Sequence, residues 1–245
     1  MLILTSQFTN QLHGQTPLEI DSLPEPPQVF QSLLREGNVD FLQGTDLLES
    51  KDFNALAKLP DEVTQALRKQ SLRTDPSIPF ENRLSAITTY RIDFRYARQT
   101  TWTWNPVTRI MTINMRARLT SWKPIHTVWF RELPSLTNFW KNSLVRHELD
   151  HVQLSSDANM KSRFARLLRE GERKQLSLSG SQRPSNQIAD ETTKQWAEEK
   201  FREMIDLINV RYQELDQITR HGRNRLPEDS PLYRSLRTPE SPLLN

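Results

Sequence analysis

Two histidines four residues apart constrain this chain more than any other feature of its sequence. They are His147 and His151, in the segment His-Glu-Leu-Asp-His. Residues four apart lie one above the other on the same face of an α-helix, so both imidazoles can reach one metal ion. Glu148 follows the first histidine and can take a proton from a water molecule beside that metal. The pattern therefore predicts a helix that carries two metal ligands and a general base.

The sequence around the two histidines has a helical period. Apolar residues recur at intervals of three and four from Ser135 to Leu168, and a break is expected at residues 155–156. A second long helix is predicted from Asp190 to Arg220, because its apolar residues form one stripe. Gly222 follows this helix where a C-terminal cap is expected.

Residues 86–118 have a different period. Aromatic residues, among them Trp102 and Trp104, alternate with polar ones, and Asn105-Pro106 marks a turn. This alternation predicts a β-hairpin within a small antiparallel sheet. Together the patterns predict an α+β fold, with a small antiparallel sheet or hairpin and two long helices. The histidine pair is expected on the first of these helices.

Composition limits what the metal site can contain. The chain has 245 residues, 5 His and no Cys, so thiolate ligands and disulfides are excluded. A transition-metal site must then use histidines and carboxylates. No apolar run approaches the roughly 18 residues of a membrane span. The N-terminal residues show no signal peptide, which makes a cytoplasmic location the default expectation.

The chain is predicted to have three parts. Residues 1–80 are expected to form a Pro-rich segment with short helices, largely without structure before residue 45. Residues 81–223 form the expected metal-binding domain, and 224–245 a disordered Pro-rich tail. The first 75 residues carry 6 basic and 11 acidic residues, whereas 90–174 carry 16 and 7. An acidic segment facing a basic domain could be a pro-segment or a partner-binding arm.

The third metal ligand has several candidates, because a catalytic zinc site takes three protein ligands and leaves one position open. Asp157 lies six residues beyond His151. His221 continues the apolar stripe of the second helix beyond its last turn. Carboxylates of the second helix are the remaining candidates: Glu191, Glu198 and Glu199.

Four residues have weaker predicted roles near the site. Asp216 could orient a ligand histidine through a hydrogen bond. Tyr212 could donate a hydrogen bond to a developing oxyanion, although a core tyrosine is the simpler interpretation. Arg146 and Arg220 could also stabilise an oxyanion, but the sequence does not place them.

The region from about Ala86 to Gly222 resembles a bacterial family catalogued as domain of unknown function 922, described as secreted zinc-dependent proteases. The resemblance is carried by the Trp-rich hairpin, Trp140, the His147-Glu148-x-x-His151 motif and the distal Asp216-x-x-Thr219-x-His221-Gly222 element. It implies a zincin-like fold with a bound Zn²⁺, and His221 as the third ligand. It also implies a secreted or periplasmic location, in contrast to the absence of a visible signal peptide.

The leading hypothesis is a zinc-dependent metalloprotease in which Glu148 acts as general base on a peptide or protein substrate. An extended substrate is expected to pair with a strand edge in the 108–116 hairpin. The alternative is a non-catalytic zincin-fold module with a structural metal or none. Nucleic-acid binding is not expected, because the charge of +9 over residues 90–174 is not focused. The oligomeric state stays open.

Overall fold

The computed structural model describes residues 23–43, 85–227 and 230–232 of the chain. It has a mixed α+β architecture with two small sheets and several helices, which confirms the predicted class. In chain order the elements are α1 (Gln28–Gly37), β1 (Val39–Gln43), β2 (Ala86–Arg98), β3 (Thr101–Asn105), β4 (Ile110–Met115), β5 (Ala117–Phe130), a 3-10 helix (Leu136–Lys141), α2 (Ser143–Ser155), α3 (Ala158–Glu170), β6 (Glu172–Ser177) and α4 (Asn186–Thr219). None of these helices is both long and apolar enough to cross a membrane.

The described residues divide into two compact units. Unit 1 contains residues 93–122 and 157–210, and unit 2 contains 23–43, 85–92, 123–156, 211–227 and 230–232. Strands β2 and β5 and helix α4 therefore each contribute residues to both units. The histidine pair lies on α2, within unit 2.

Unit 1 contains the predicted hairpin. Strands β3 and β4 pair antiparallel, and β6 pairs antiparallel with the other edge of β4. Met111, Ile113 and Met115 are buried, as the period of two requires. An aromatic cluster adds to this core, with Phe94 near Phe164 and Phe201, and Trp122 near the same two rings.

The edge predicted to pair with a substrate is not available at β4. This strand is the middle one of the β3-β4-β6 sheet, and Ile110 faces Asn105 on one side and Ser177 on the other. The hydrogen-bonding groups of both edges of β4 are thus used within the sheet. The expectation of substrate pairing within 108–116 is therefore wrong for this strand.

Unit 2 incorporates residues 23–43, which belong to the segment that the sequence predicted to be largely without structure. Strand β1 pairs parallel with β5, with Val39 opposite His126 and Gln43 opposite Phe130. This parallel pair also departs from the predicted antiparallel sheet. Phe41 is 1% exposed and lies against Phe130, Phe139 and Trp140. Trp140 also donates a hydrogen bond to the carbonyl of Pro24 at 2.6 Å.

Local sequence determines where the two helices of the histidine region begin. The Asn142 side chain accepts hydrogen bonds from the backbone N–H groups of Leu144 and Val145, which caps α2. Asp157 caps α3 in the same way through the N–H of Asn159. The break predicted at residues 155–156 is confirmed, because α2 ends at Ser155.

The tail also differs in part from its prediction. Ser230 and Leu232 are buried, and Leu232 packs against Leu154 of α2 and Leu215 of α4. This small apolar cluster lies one turn beyond His151 along α2 and directly before Asp216 on α4. Residues after 223 therefore contribute to the packing of the two helices that carry the site.

Truncating Phe41 tests whether the N-terminal segment belongs to the fold. We expect Phe41→Ala to lower the free energy of unfolding by about 3–5 kcal/mol, because a buried ring is replaced by a cavity. Urea unfolding followed by circular dichroism measures the change. Val29→Ala is the control, since Val29 is 75% exposed. Equal stability of the two variants would contradict the assignment of β1 to the core.

Candidate metal centre

Three side chains converge in unit 2 to form a group that could hold a metal ion. His147 and His151 come from α2 and Asp216 comes from the last turn of α4. Both histidines are 5% exposed. The two Nε2 atoms are 3.2 Å apart, and Asp216 Oδ1 lies 3.2 Å from His147 Nε2 and 3.1 Å from His151 Nε2. The three atoms therefore form a nearly equilateral triangle.

The size of this triangle fits a tetrahedral metal site. Ligands bonded to zinc at about 2.0–2.1 Å in tetrahedral geometry lie about 3.3 Å from one another. The observed separations of 3.1–3.2 Å are within about 0.2 Å of that value. Two imidazole nitrogens and one carboxylate oxygen are also a ligand set that zinc accepts. The geometry and the chemistry of the donors thus both fit a zinc ion.

Hydrogen bonds around Thr219 determine the tautomer of a neutral His147. The Thr219 hydroxyl donates its single proton to the carbonyl of Leu215 at 2.7 Å. Its oxygen must therefore accept in the 3.2 Å contact with His147 Nδ1, so Nδ1 carries a proton. His147 Nε2 then has a free lone pair directed at His151 Nε2 and Asp216 Oδ1. The three converging atoms are compensated either by a proton on His151 Nε2 or by a metal ion between them.

The backbone after α4 places Thr219 against His147. Arg220, His221 and Gly222 have positive φ angles of 51°, 56° and 79°, so the chain turns with left-handed geometry. The N–H of Gly222 donates to Thr219 Oγ1 at 3.3 Å. A Cβ on Gly222 would lie 3.0 Å from the Cβ of His147. Glycine is required there by both its φ angle and this close approach.

Glu148 is buried beside the metal-binding group and has one well-defined partner. Its side chain is 3% exposed, and Thr88 of β2 donates a hydrogen bond to Glu148 Oε2 at 2.7 Å. The Thr88 hydroxyl also lies 3.1 Å from the Glu148 carbonyl oxygen. Thr88 was not predicted as a site residue, because it is 60 positions away in sequence and no local pattern marks it.

His221, the third ligand that the family resemblance implies, lies at the edge of the group. Its side chain is 71% exposed, and its Nδ1 is 3.5 Å from Asp216 Oδ1. Among the described residues, the group of ligand atoms within 4.8 Å of one another contains Asp216 and not His221. Asp157 and the glutamates at 191, 198 and 199 belong to unit 1 and are not members of the group.

The electrostatics of the group are dominated by Asp216. Burial alone would raise the pKa of this carboxyl, but its contacts with His147, His151 and His221 outweigh it and hold the pKa far below its usual range. In turn, the hydrogen bond to Asp216 raises the pKa of His221, to which the negative charge of Glu148 also contributes. Asp216 is therefore ionised at neutral pH and can serve as an anionic ligand.

A buried chain of hydrogen bonds ends beside His151. His126 Nδ1 lies 2.5 Å from the carbonyl oxygen of Gly37, so Nδ1 carries the proton of the neutral ring. His126 Nε2 then accepts the Ser155 hydroxyl at 2.6 Å. The Ser155 oxygen in turn accepts from Tyr212 at 2.8 Å. The direction of donation is the same along the whole chain, from Tyr212 to Gly37.

This chain of hydrogen bonds decides between the two roles predicted for Tyr212. Its hydroxyl proton is donated to Ser155, and burial raises the pKa of Tyr212 well above its usual value. Its ring centroid lies 4.3 Å from that of His151. The Nδ1 atom of His151 is buried and has no hydrogen-bond partner among the described residues. Packing by Tyr212 therefore orients the His151 ring, and its hydroxyl is engaged by Ser155.

Comparison with known proteins adds no template for this centre. The chain matches no family model, no curated protein and no solved structure. The resemblance stated from the motifs accordingly stays a prediction.

Changing Thr219 tests the hydrogen bond that orients His147. We expect Thr219→Val to weaken zinc binding about 10–100-fold, because it removes the acceptor for His147 Nδ1–H while keeping the branched shape. Titration against a chelator of known affinity measures the change. Thr219→Ser retains the hydroxyl and should bind zinc as the wild type does. Equal affinities of the Val and Ser variants would contradict this role.

The pH dependence of stability tests the protonation state of His126. Burial lowers the pKa of His126 from 6.5 to about 4, although its hydrogen bond to Gly37 acts in the opposite direction. The unfolded chain therefore takes up this proton at higher pH than the native state does. Stability is fully present above pH 6.5 and is lost as the pH falls towards 4. The loss amounts to at most roughly 3 kcal/mol.

Urea unfolding between pH 7.5 and 4.5 measures this dependence, with His126→Gln as the comparison. Glutamine cannot titrate, so the variant should lose less stability over this range than the wild type. Parallel curves for the two proteins would show that the pKa of His126 is the same in the native and unfolded states.

Proposed function

We propose that this chain is a zinc-dependent peptidase of zincin-like fold. The triangle formed by His147 Nε2, His151 Nε2 and Asp216 Oδ1 carries the proposal, because its sides of 3.1–3.2 Å suit three ligands of one zinc ion. Glu148 lies next to the first ligand on the same helix. These are the parts that hydrolysis by an activated water molecule needs.

The residues that would hold zinc are His147, His151 and Asp216. When bound, zinc supplies Lewis acidity, which activates a water molecule and polarises a carbonyl group. Nitrogen and oxygen ligands alone do not distinguish zinc from other divalent ions of the first transition series. We propose zinc because a compact set of two imidazoles and one carboxylate, with space for a fourth ligand, is typical of its catalytic sites.

Glu148 is the proposed general base. Its carboxylate accepts the proton of the attacking water and can later pass that proton to the leaving amine. The hydrogen bond from Thr88 to Oε2 fixes the orientation of the carboxylate, so the other oxygen is the one that exchanges the proton. Thr88 therefore acts as a positioning residue in the proposed mechanism.

In this proposal Asp216 is the third ligand, and His221 is not a ligand. With three protein ligands, a fourth position stays available for water or substrate, as catalysis requires. If His221 instead took the fourth position, the centre would be closed. Its Nδ1 is only 3.5 Å from Asp216 Oδ1. This proximity is the observation that favours the alternative, a zincin-fold binding module with a structural metal.

Metal content and proteolysis of the purified full chain distinguish the two functions. We expect about one zinc per chain in the wild type and in Glu148→Gln, since neither lacks a proposed ligand. Asp216→Asn should lose most of the bound zinc, and His221→Ala should keep it. Glu214→Gln is the matched control, because Glu214 is exposed on the same helix.

Cleavage of casein should fall at least about 100-fold in Glu148→Gln without loss of metal. Zinc retained in every variant but no cleavage by the wild type would favour the structural-metal module. Loss of zinc in His221→Ala with retention in Asp216→Asn would make His221 the third ligand. Absence of metal from the wild type, even after incubation with zinc, would exclude the peptidase and leave a binding module without metal.

A further inference from the structure

The loop after α4 combines a position on the metal-binding group with a concentration of positive charge. Residues 220–225 read Arg-His-Gly-Arg-Asn-Arg. Gly222 is buried against His147, as its 3.0 Å Cβ approach shows. The arginines at 220, 223 and 225 are exposed. None of the three makes an ion pair with another described residue.

The backbone of this loop is held in one conformation. The N–H of His221 donates to the Asp216 carbonyl at 3.0 Å, and that of Asn224 donates to the Thr219 carbonyl at 2.8 Å. Gly222 donates to Thr219 Oγ1, as described above. Arg220 and His221 both adopt positive φ angles, which L residues rarely do without such restraint. The basic side chains thus start from fixed points around the site.

The charge of the loop is not cancelled by the acids of the site. The site contributes two carboxyl groups, those of Glu148 and Asp216, against the three arginines of the loop. Arg223 is close enough to His221 for its charge to oppose protonation of that ring, although Asp216 has the larger effect and raises the pKa. The three guanidinium groups therefore give the loop a net positive charge.

We infer that the loop of residues 220–225 selects acidic substrates, namely peptide segments with Glu or Asp on the sides of the bond to be cleaved. Guanidinium groups bind carboxylates through paired, charge-assisted hydrogen bonds. A loop with three arginines should therefore bind acidic peptides in preference to neutral or basic ones. The inference rests on the proposed function for the site, and it assigns that function a substrate class.

Binding and cleavage of matched peptides test the inference on the zinc-loaded full chain. Three fluorescein-labelled nine-residue peptides share a central Ala-Phe and carry Glu, Gln or Lys at the flanking positions. Binding is measured by fluorescence anisotropy to Glu148→Gln, which retains the proposed ligands, and kcat/KM is measured with the wild type. We expect the Glu peptide to exceed the Gln peptide about tenfold in both, with a smaller difference at high salt.

The arginines are tested by the double substitution Arg223→Gln and Arg225→Gln, because both side chains are exposed. We expect the preference for the Glu peptide to fall below about threefold, while cleavage of the Gln peptide is unchanged. The double variant Arg183→Gln and Arg202→Gln is the control, because both residues are exposed in unit 1 and it removes the same charge. Melting temperature and zinc content show that each variant is folded and loaded.

The outcomes separate this inference from the proposed function. Equal cleavage of all three peptides would overturn the inference and leave the peptidase intact. Selective binding of the Glu peptide without any cleavage would support the inference while removing the peptidase function. A preference that persists in the Arg223/Arg225 variant would overturn the role of the loop. Tighter binding of an oligothymidylate through the same arginines would overturn acidic peptides as the partner.

Discussion

Three polar atoms in mutual contact are the constraint on which unit 2 depends. His147 Nε2, His151 Nε2 and Asp216 Oδ1 lie 3.1–3.2 Å apart, and both imidazoles are buried. Buried polar atoms without partners are costly, so this arrangement needs either a proton on His151 Nε2 or a metal ion between the atoms. Either one joins α2 to the end of α4. The apolar cluster of Leu154, Leu215 and Leu232 brings the same two helices together next to the group.

The two ligand histidines are oriented by different physical means. His147 Nδ1–H donates to the Thr219 hydroxyl oxygen, which also accepts from the N–H of Gly222. The Thr219 proton is donated to the Leu215 carbonyl, so only one hydrogen-bonding arrangement is possible. His151 has no partner for Nδ1 among the described residues, and the ring of Tyr212 packs on it instead. Tyr212 is itself held by Ser155, which is also bonded to His126. The orientation of His147 thus depends on a hydrogen bond, and that of His151 depends on packing against Tyr212, which a buried hydrogen-bond network holds in place.

Local periodicity predicted the elements but not the contacts that assemble the site. The alternation in β4 and the helical period of α2 are properties of neighbouring residues, and the structure has both. The left-handed residue that ends α4 is Arg220 and not the predicted Gly222. The contact of Thr88 with Glu148 joins residues 60 positions apart, and the periodicity of the sequence does not predict it. Asp216 was predicted to orient a ligand, yet its oxygen lies as close to both histidines as a ligand would.

The prediction for the N-terminal segment failed for a related reason. Residues 28–43 have no strand signal of their own, and β1 forms because β5, some 87 residues later, offers it a parallel edge. The proline-rich stretch before this strand was predicted to be a linker. The structure of β1 depends on tertiary pairing, which cannot be predicted from composition.

The network that ends at His151 also bears on whether the N-terminal segment could be a removable pro-segment. Gly37 supplies the carbonyl that fixes the tautomer of His126, and His126 determines the direction in which Ser155 and Tyr212 donate. A Cβ on Gly37 would lie 3.0 Å from Val152 of the histidine-bearing helix, so α1 ends in direct contact with α2. Removing residues 23–43 would expose the core around Phe41 and leave His126 without its acceptor. These residues are therefore part of the support of the centre, and a pro-segment role is restricted to other parts of the chain.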